Sequence, residues 1–140
     1  MDFEIFFFNI LEQDKNKFKP LLDWILKIEP KALIQLEVEN IEKLLSSENF
    51  IAFSEELILQ FDLEKVGISQ HDFDNNSFTI AICLKESHIC IHTWPEFQQL
   101  TLDVYLCNYL QDNTQKVKDI TNAYIAYFEA KIIKDFEINR

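Results

Sequence analysis

Between residues 77 and 107 the chain carries three β-type runs, Ser77 to Leu84, His88 to Trp94 and Leu100 to Cys107, joined by short polar or proline-bearing connections. Connections this short reach only an antiparallel neighbour, since a parallel return needs a crossover of a dozen or more residues. An antiparallel meander therefore occupies this region, and the rest of the chain must supply what covers it. Upstream, Ala32 to Val38 alternates apolar and polar in the manner of a half-buried strand. Helical patterning follows through Ile41, Leu44 and Leu45 and again through Leu57, Ile58 and Phe61, and the spacing predicts a stop near Gly67. Downstream, Val117, Ile120, Tyr124 and Phe128 share one face of a helix predicted over about Asn113 to Glu129, which leads into a last strand from Lys131 to Ile138. From residue 31 onward the predicted order is β-α-β-β-β-α-β, an α+β fold in which an antiparallel sheet packs against helices.

Ahead of this core, residues 1 to 29 read as an N-terminal strand-helix extension. Asp2 to Ile10 holds the triplet Phe6, Phe7 and Phe8, while Phe18, Leu21, Leu22, Ile25 and Ile28 recur at helical spacing before Pro30. With 140 residues and 48% hydrophobic side chains, the whole chain is expected to form one domain, residues 1 to 140.

Charge and glycine content exclude several functions. Asp plus Glu number 24 against 13 Lys plus Arg, a net charge of -11, which is the wrong sign for a phosphate backbone, so nucleic acid is not an expected partner. Gly67 is the single glycine, and neither a dinucleotide fingerprint nor a Walker loop can be written with one. Cys83, Cys90 and Cys107 are odd in number and follow no secreted-scaffold spacing, which fits reduced thiols in the cytoplasm. The acidic start has neither a basic n-region nor the length of a membrane span, so no membrane association is expected.

Reactive side chains concentrate in Glu86-Ser87-His88-Ile89-Cys90-Ile91-His92-Thr93-Trp94-Pro95-Glu96, followed by Asp103 and Cys107. Two chemistries fit these residue types. His88, Cys90 and His92 alternate onto one face of a strand and, with Cys107 from the next strand, offer four ligands of the kind zinc takes. Alternatively, Ser87 is a nucleophile with a histidine and a thiol nearby to move protons.

The stretch Glu86 to Glu96, E-S-H-I-C-I-H-T-W-P-E, resembles the E-S-H-x-x-I-H-T-W-P-E signature of the small prokaryotic S-adenosylmethionine decarboxylase proenzymes. Leu102 to Cys107, L-D-V-Y-L-C, resembles that family's V-D-V-F-T-C at ungapped spacing, and His71-Asp72-Phe73 falls where the family has H-x-F. The resemblance spans about residues 31 to 140 and implies an enzyme that builds its own cofactor. In it, the hydroxyl of Ser87 attacks the carbonyl of Glu86, an ester forms, and elimination cuts the chain between Glu86 and Ser87, leaving a pyruvoyl group on the new N-terminus. His92 matches the family histidine that assists processing, Thr79 a serine that supports it, and Cys107 the proton donor in decarboxylation. Phe73 and Trp94 match positions around the adenosine pocket, and Glu96 a carboxylate that holds ribose hydroxyls. The implied reaction is a carboxy-lyase acting on S-adenosylmethionine and supplying the aminopropyl donor for spermidine and other polyamines, in the cytoplasm, by a homodimer of processed protomers.

The pattern also breaks in places. Lys31 to Asn40 lacks the Gly-x-His opening and Gly-Cys-Asp-like turn of the family's first strand. After Phe73 a Q-G-V-S-G-like segment becomes N-N-S-F-T-I, so two glycines are replaced by Ser77 and Ile80, and Asn108 replaces the glycine after the cysteine. Ile80 adds bulk, and Thr79 has a stiffer χ1 than serine. These departures leave room for an ornithine or arginine decarboxylase on the same scaffold, or for a regulatory paralogue that does not process.

Overall fold

Alternation of buried and more exposed side chains through β3 (Phe78–Leu84) and β5 (Gln99–Tyr105) commits one face of the sheet to a core. The computed structural model describes residues 31–108 and 111–137; the strand and helix expected over residues 1 to 29 lie outside the described residues. The other strands are β1 (Lys31–Glu37), β2 (Lys65–Asp72), β4 (Ser87–Trp94) and β6 (Lys131–Glu137). They form one six-stranded sheet in the order β2-β3-β4-β5-β1-β6, each neighbour antiparallel to the next. Helices α1 (Ser47–Gln60) and α2 (Thr114–Phe128) cover one face, where Leu57, Ile58, Val117 and Ile120 join Ile34, Ile82, Ile91 and Leu102 in a single buried cluster. The α+β architecture read from the sequence is thus the observed one.

The predicted order requires one correction. β2 is a strand that pattern reading does not find, so the observed core runs β-α-β-β-β-β-α-β. Nor does the helical segment stop at Gly67. A single 3₁₀ turn, Ile41–Leu44, precedes α1, and α1 ends at Gln60. Asp62 then takes a left-handed conformation (φ 54°), which lets the Leu63 N–H donate to the Ile58 carbonyl at 2.9 Å. Gly67 lies inside β2. This strand escapes a periodicity reading because it is an edge strand whose every position except Gly67 is exposed, so neither face imposes alternation. Among the described residues no helix is long and apolar enough to cross a membrane.

Phe50 of α1 centres the core. Its ring lies 5.8 Å from Phe78 of β3, 5.4 Å from Tyr124 and 6.2 Å from Phe128 of α2, so one aromatic ties both helices to the sheet. Tyr124 is fully buried, and its hydroxyl shares a 2.7 Å hydrogen bond with Ser54, also fully buried, which joins α1 to α2. Burial pushes the Tyr124 phenol above its ordinary value, and the Ser54 bond pulls weakly the other way. The folded state therefore holds this proton more tightly than the unfolded chain, whose tyrosines titrate near about 10. The contribution is intact below that pH and is lost progressively above it.

Replacing Tyr124 with Phe leaves the Ser54 hydroxyl buried without its partner and is expected to cost about 1–2 kcal/mol at pH 7. The same variant should lose less stability than the wild type when the pH is raised from about 7 to about 11. Urea unfolding at both pH values checks the two signs, and an equal alkaline loss in both proteins would remove Tyr124 as its source.

Candidate functional site

β4 carries the densest group of reactive side chains, and its pairing is unbroken on both sides. Ser87 faces Leu84, His88 faces Cys83 and His92 faces Thr79 on β3, while His88 faces Tyr105 and His92 faces Thr101 on β5. With no bulge, alternation holds from end to end. Ile89, Ile91 and Thr93 are buried under the helices, so Ser87 falls on that side, and His88, Cys90 and His92 fall on the open side. Five residues at about 3.3 Å each place Ser87 and His92 roughly 16 Å apart along the strand. The two residues expected to cooperate therefore occupy opposite ends and opposite faces.

Each end has its own cavity. At the start of β4, Ser87 and Cys107 line one of about 240 Å³, with Leu84 and Leu106 as apolar wall and Glu64, Glu86, Asn113 and Lys116 among its polar groups. Lys85 and the exposed Glu86 form the turn from β3 to β4, anchored where the Lys85 N–H donates to the Glu64 carbonyl at 3.0 Å. Cys107 does not lie in β5, as the expected strand Leu100 to Cys107 would have it, but two residues past its end. There Asn113 Nδ2 donates to the Cys107 carbonyl at 2.6 Å, and the Asn113 N–H donates to Asn108 Oδ1 at 2.6 Å. Asn113 occupies the cap position of α2 yet makes no side-chain bond to the helix; Asp112 Oδ1 instead accepts from the Thr114 N–H at 2.9 Å.

At the other end a larger cavity, about 600 Å³, is lined by Phe73, Thr79, His92, Trp94 and Glu96, and also by Asp74 and Asn75. Small-molecule sites are typically of this size. Direct cross-strand pairing brings Thr79 and His92 together, with Thr79 Oγ1 and His92 Nδ1 2.9 Å apart. The His92 ring lies 5.9 Å from that of Trp94. Trp94 and Phe73 are 38% and 47% exposed, so both rings stand at the cavity rather than in the core. Beneath them, buried Thr93 Oγ1 accepts from the Phe78 N–H at 2.9 Å, closing the end of the β3–β4 ladder with a side chain.

The segment that departs from the family's glycine pattern keeps its turn by other means. Asn76 takes the left-handed conformation (φ 64°), and Asn75 Oδ1 accepts from both the Ser77 N–H (3.1 Å) and the Ser77 hydroxyl (2.6 Å). Ile80 is 1% exposed and points into the helix-covered core, so its bulk does not enter the cavity.

The zinc arrangement of His88, Cys90, His92 and Cys107 does not assemble. His88 Nε2 pairs with Asp103 Oδ2 at 3.2 Å on the open face, His92 is bonded to Thr79, and Cys107 stands two residues past the end of β5, at the opposite end of β4 from His92. Among the described residues no group of three or more His, Cys, Asp or Glu side chains is placed to hold a metal ion. Sequence reasoning missed Asp74 and Asn75 in the larger cavity and Asn113 and Lys116 in the smaller. The first pair carried a turn signal that said nothing about what the turn overhangs, and Asn113 read only as a helix start.

Comparison with known proteins gives consistent similarities. A family model described as S-adenosylmethionine decarboxylase matches residues 32–140. A protein named S-adenosylmethionine decarboxylase proenzyme from Archaeoglobus fulgidus is 28% identical over 100 residues, covering 71% of this chain and 86% of that one. A protein of the same name from Clostridium botulinum (strain Langeland) is 32% identical over 78 residues, covering 56% of this chain and 67% of that one. The crystal structure of the adenosylmethionine decarboxylase from Aquifex aeolicus superposes with a TM-score of 0.71 at 24% identity, over 81% of this chain and 91% of that one, which bears on the fold.

The closure of the ladder by Thr93 yields a prediction. Thr93→Val keeps the shape but removes the acceptor of the Phe78 N–H, which is expected to lower stability by about 1–3 kcal/mol in urea unfolding with an unchanged m-value. Stability within about 0.5 kcal/mol of wild type would show that the N–H finds water instead.

Proposed function

The chain belongs to the S-adenosylmethionine decarboxylase family, a family of decarboxylases, and from that premise we propose that it is a proenzyme that cuts itself between Glu86 and Ser87. In this reading it then decarboxylates S-adenosylmethionine in the cytoplasm, supplying the aminopropyl donor for polyamines such as spermidine. The observation that carries the mechanism is the separation of the two cavities. Ser87 and Cys107 line one, Thr79, His92 and the aromatic and acidic residues the other, and an unbroken strand runs between them. One chain cannot bring its own His92 to its own Ser87. We therefore assign the complete site to a homodimer in which each reaction centre takes Ser87 and Cys107 from one chain and Thr79, His92, Phe73, Trp94 and Glu96 from the second copy.

In the uncut chain Ser87 Oγ is the nucleophile and the Glu86 carbonyl carbon the electrophile, and the turn leaves Glu86 exposed. The second copy's His92 moves the proton from the hydroxyl, with its ring oriented by the Thr79 bond on Nδ1. The surroundings of Ser87 suit the pyruvoyl group that processing makes of it, being half-buried, with Leu84 and Leu106 as apolar wall and Cys107 lining the same cavity. That carbonyl group supplies an electron sink for the electrons left when carbon dioxide departs. Cys107 Sγ holds the proton that returns to the substrate α-carbon. Phe73 and Trp94 offer flat faces to adenine and to the sulfonium charge, and Glu96 accepts from ribose hydroxyls. An ornithine or arginine substrate would leave those rings without an adenine to stack on.

Ser87→Ala should remain a single uncut 140-residue chain, and His92→Ala alone should process about 10²- to 10⁴-fold more slowly. Co-expression of the two variants is the decisive case. A mixed dimer has one centre with Ser87 from the His92→Ala chain and His92 from the Ser87→Ala chain, so His92→Ala chains alone should appear as two fragments in intact-mass spectra. Processing no better than in His92→Ala homodimers would overturn the shared site, and cleavage of the Ser87→Ala chain itself would overturn the pyruvoyl reading.

A further inference from the structure

The Asn113 side chain is spent in an unusual place. Asparagine just before a helix ordinarily satisfies the helix's own free N–H groups, yet here the amide is turned back and Asp112 serves the helix in its stead. Its Nδ2 donates to the carbonyl of Cys107 at 2.6 Å, while its N–H is held by Asn108 Oδ1, also at 2.6 Å. Asn108 immediately follows Cys107, so Asn113 is tied to the chain at the Cys107 carbonyl and at the very next residue, both on the C-terminal side of the thiol-bearing residue. Asn108 stands where the family pattern has glycine, which has no side chain to accept this bond. Asn113 also lines the cavity shared by Ser87 and Cys107.

Cys107 needs such a grip. It lies beyond the end of β5, where no strand pairing fixes its backbone, whereas proton delivery demands placement to a fraction of an ångström. We infer that Asn113, seated by Asn108, is a positioning residue that holds Cys107 so that its proton reaches the α-carbon of the substrate rather than the neighbouring carbon of the enzyme's own carbonyl group. The inference rests on the proposed role of Cys107 as proton donor.

The two destinations give different products. Protonation of the substrate carbon, followed by addition of water, releases the amine and restores the enzyme's carbonyl. Protonation of the enzyme's carbon leaves the substrate carbon to be hydrolysed as an aldehyde, while its nitrogen stays behind as an amine on residue 87. No oxidant enters either route, since the enzyme's carbonyl is reduced as the substrate's carbon–nitrogen centre is oxidised. Each misplaced proton thus kills one site and converts a blocked N-terminus into one open to sequencing.

The test uses the self-processed dimer with Asn113→Asp, which keeps the shape and a helix-capping oxygen but loses the donor to the Cys107 carbonyl. The readouts are turnovers completed before inactivation, the fraction of residue-87 fragment with a free amine, and the alkylation rate of Cys107 followed by peptide mass. We expect turnovers per inactivation to fall at least tenfold, amine-ended fragment to accumulate in step, and Cys107 to alkylate several-fold faster, with thermal stability kept. Asn108→Gly should show the same change at smaller size. A wild-type partition ratio in Asn113→Asp would overturn the inference. Cys107→Ala is the control that separates failures. If it too partitions and turns over as wild type, the donor reading falls; if it is impaired while Asn113→Asp is not, only the positioning role falls.

Discussion

Ser87, His88, Cys90 and His92 are all placed by the two-residue period of β4. A strand paired without a bulge on both sides cannot rotate any one side chain independently, so burying Ile89, Ile91 and Thr93 fixes where His88, Cys90 and His92 must point. A one-residue slip would exchange the two sets and bury both imidazoles. The hydrophobic requirement of the core thereby dictates the geometry of the chemistry, and it also dictates that Ser87 and His92 are strangers within one chain. The same fact makes a second copy a requirement of the proposed reaction rather than an addition to it.

A chain with one glycine must make its reversals with other residues. Asp62, Asn76, Gln98 and Glu129 all take the left-handed conformation, at a cost on the order of 1 kcal/mol each for a residue with a Cβ. Local bonds offset that cost. Leu63 and Ala130 close the ends of the two helices by donating back to Ile58 and Ile125, and Asn75 ties the turn before β3 through Ser77. Around Cys107 the same economy uses two asparagine side chains where a glycine turn would have sufficed for shape alone.

Where a segment has one dry and one wet face, sequence reading located it. Ile80, Ile82 and Leu84 alternate with Thr79, Ala81 and Cys83, and the helix carrying Val117, Ile120, Tyr124 and Phe128 buries all four. β2 was illegible for the opposite reason, since Val66 and Ile68 stay 60% and 42% exposed at the sheet edge and impose no pattern. At the site, direct pairing makes Thr79 and His92 neighbours, a juxtaposition that follows from the β3–β4 register. Cys107 lies at the end of a strand, not within it, and its ties to Asn108 and Asn113 depend on loop geometry that no period encodes.

The departures from the family's glycine pattern look, in sequence, like the decay of an active site. In three dimensions those around Phe73 and Cys107 are accommodated. Ile80 faces the core, where added methylenes gain burial and crowd no ligand. Ser77 and Asn76 rebuild a turn that glycine would have made, and Asn108 tightens one. Thr79 keeps its hydroxyl within 2.9 Å of His92 in spite of its extra methyl. A paralogue released from catalysis has no reason to compensate the changes around Phe73 and Cys107, because an idle cavity exerts no demand on the turns that frame it. The compensations are thus an argument for the proposed site, in which hydrogen-bonded side chains stand where the family pattern has glycine.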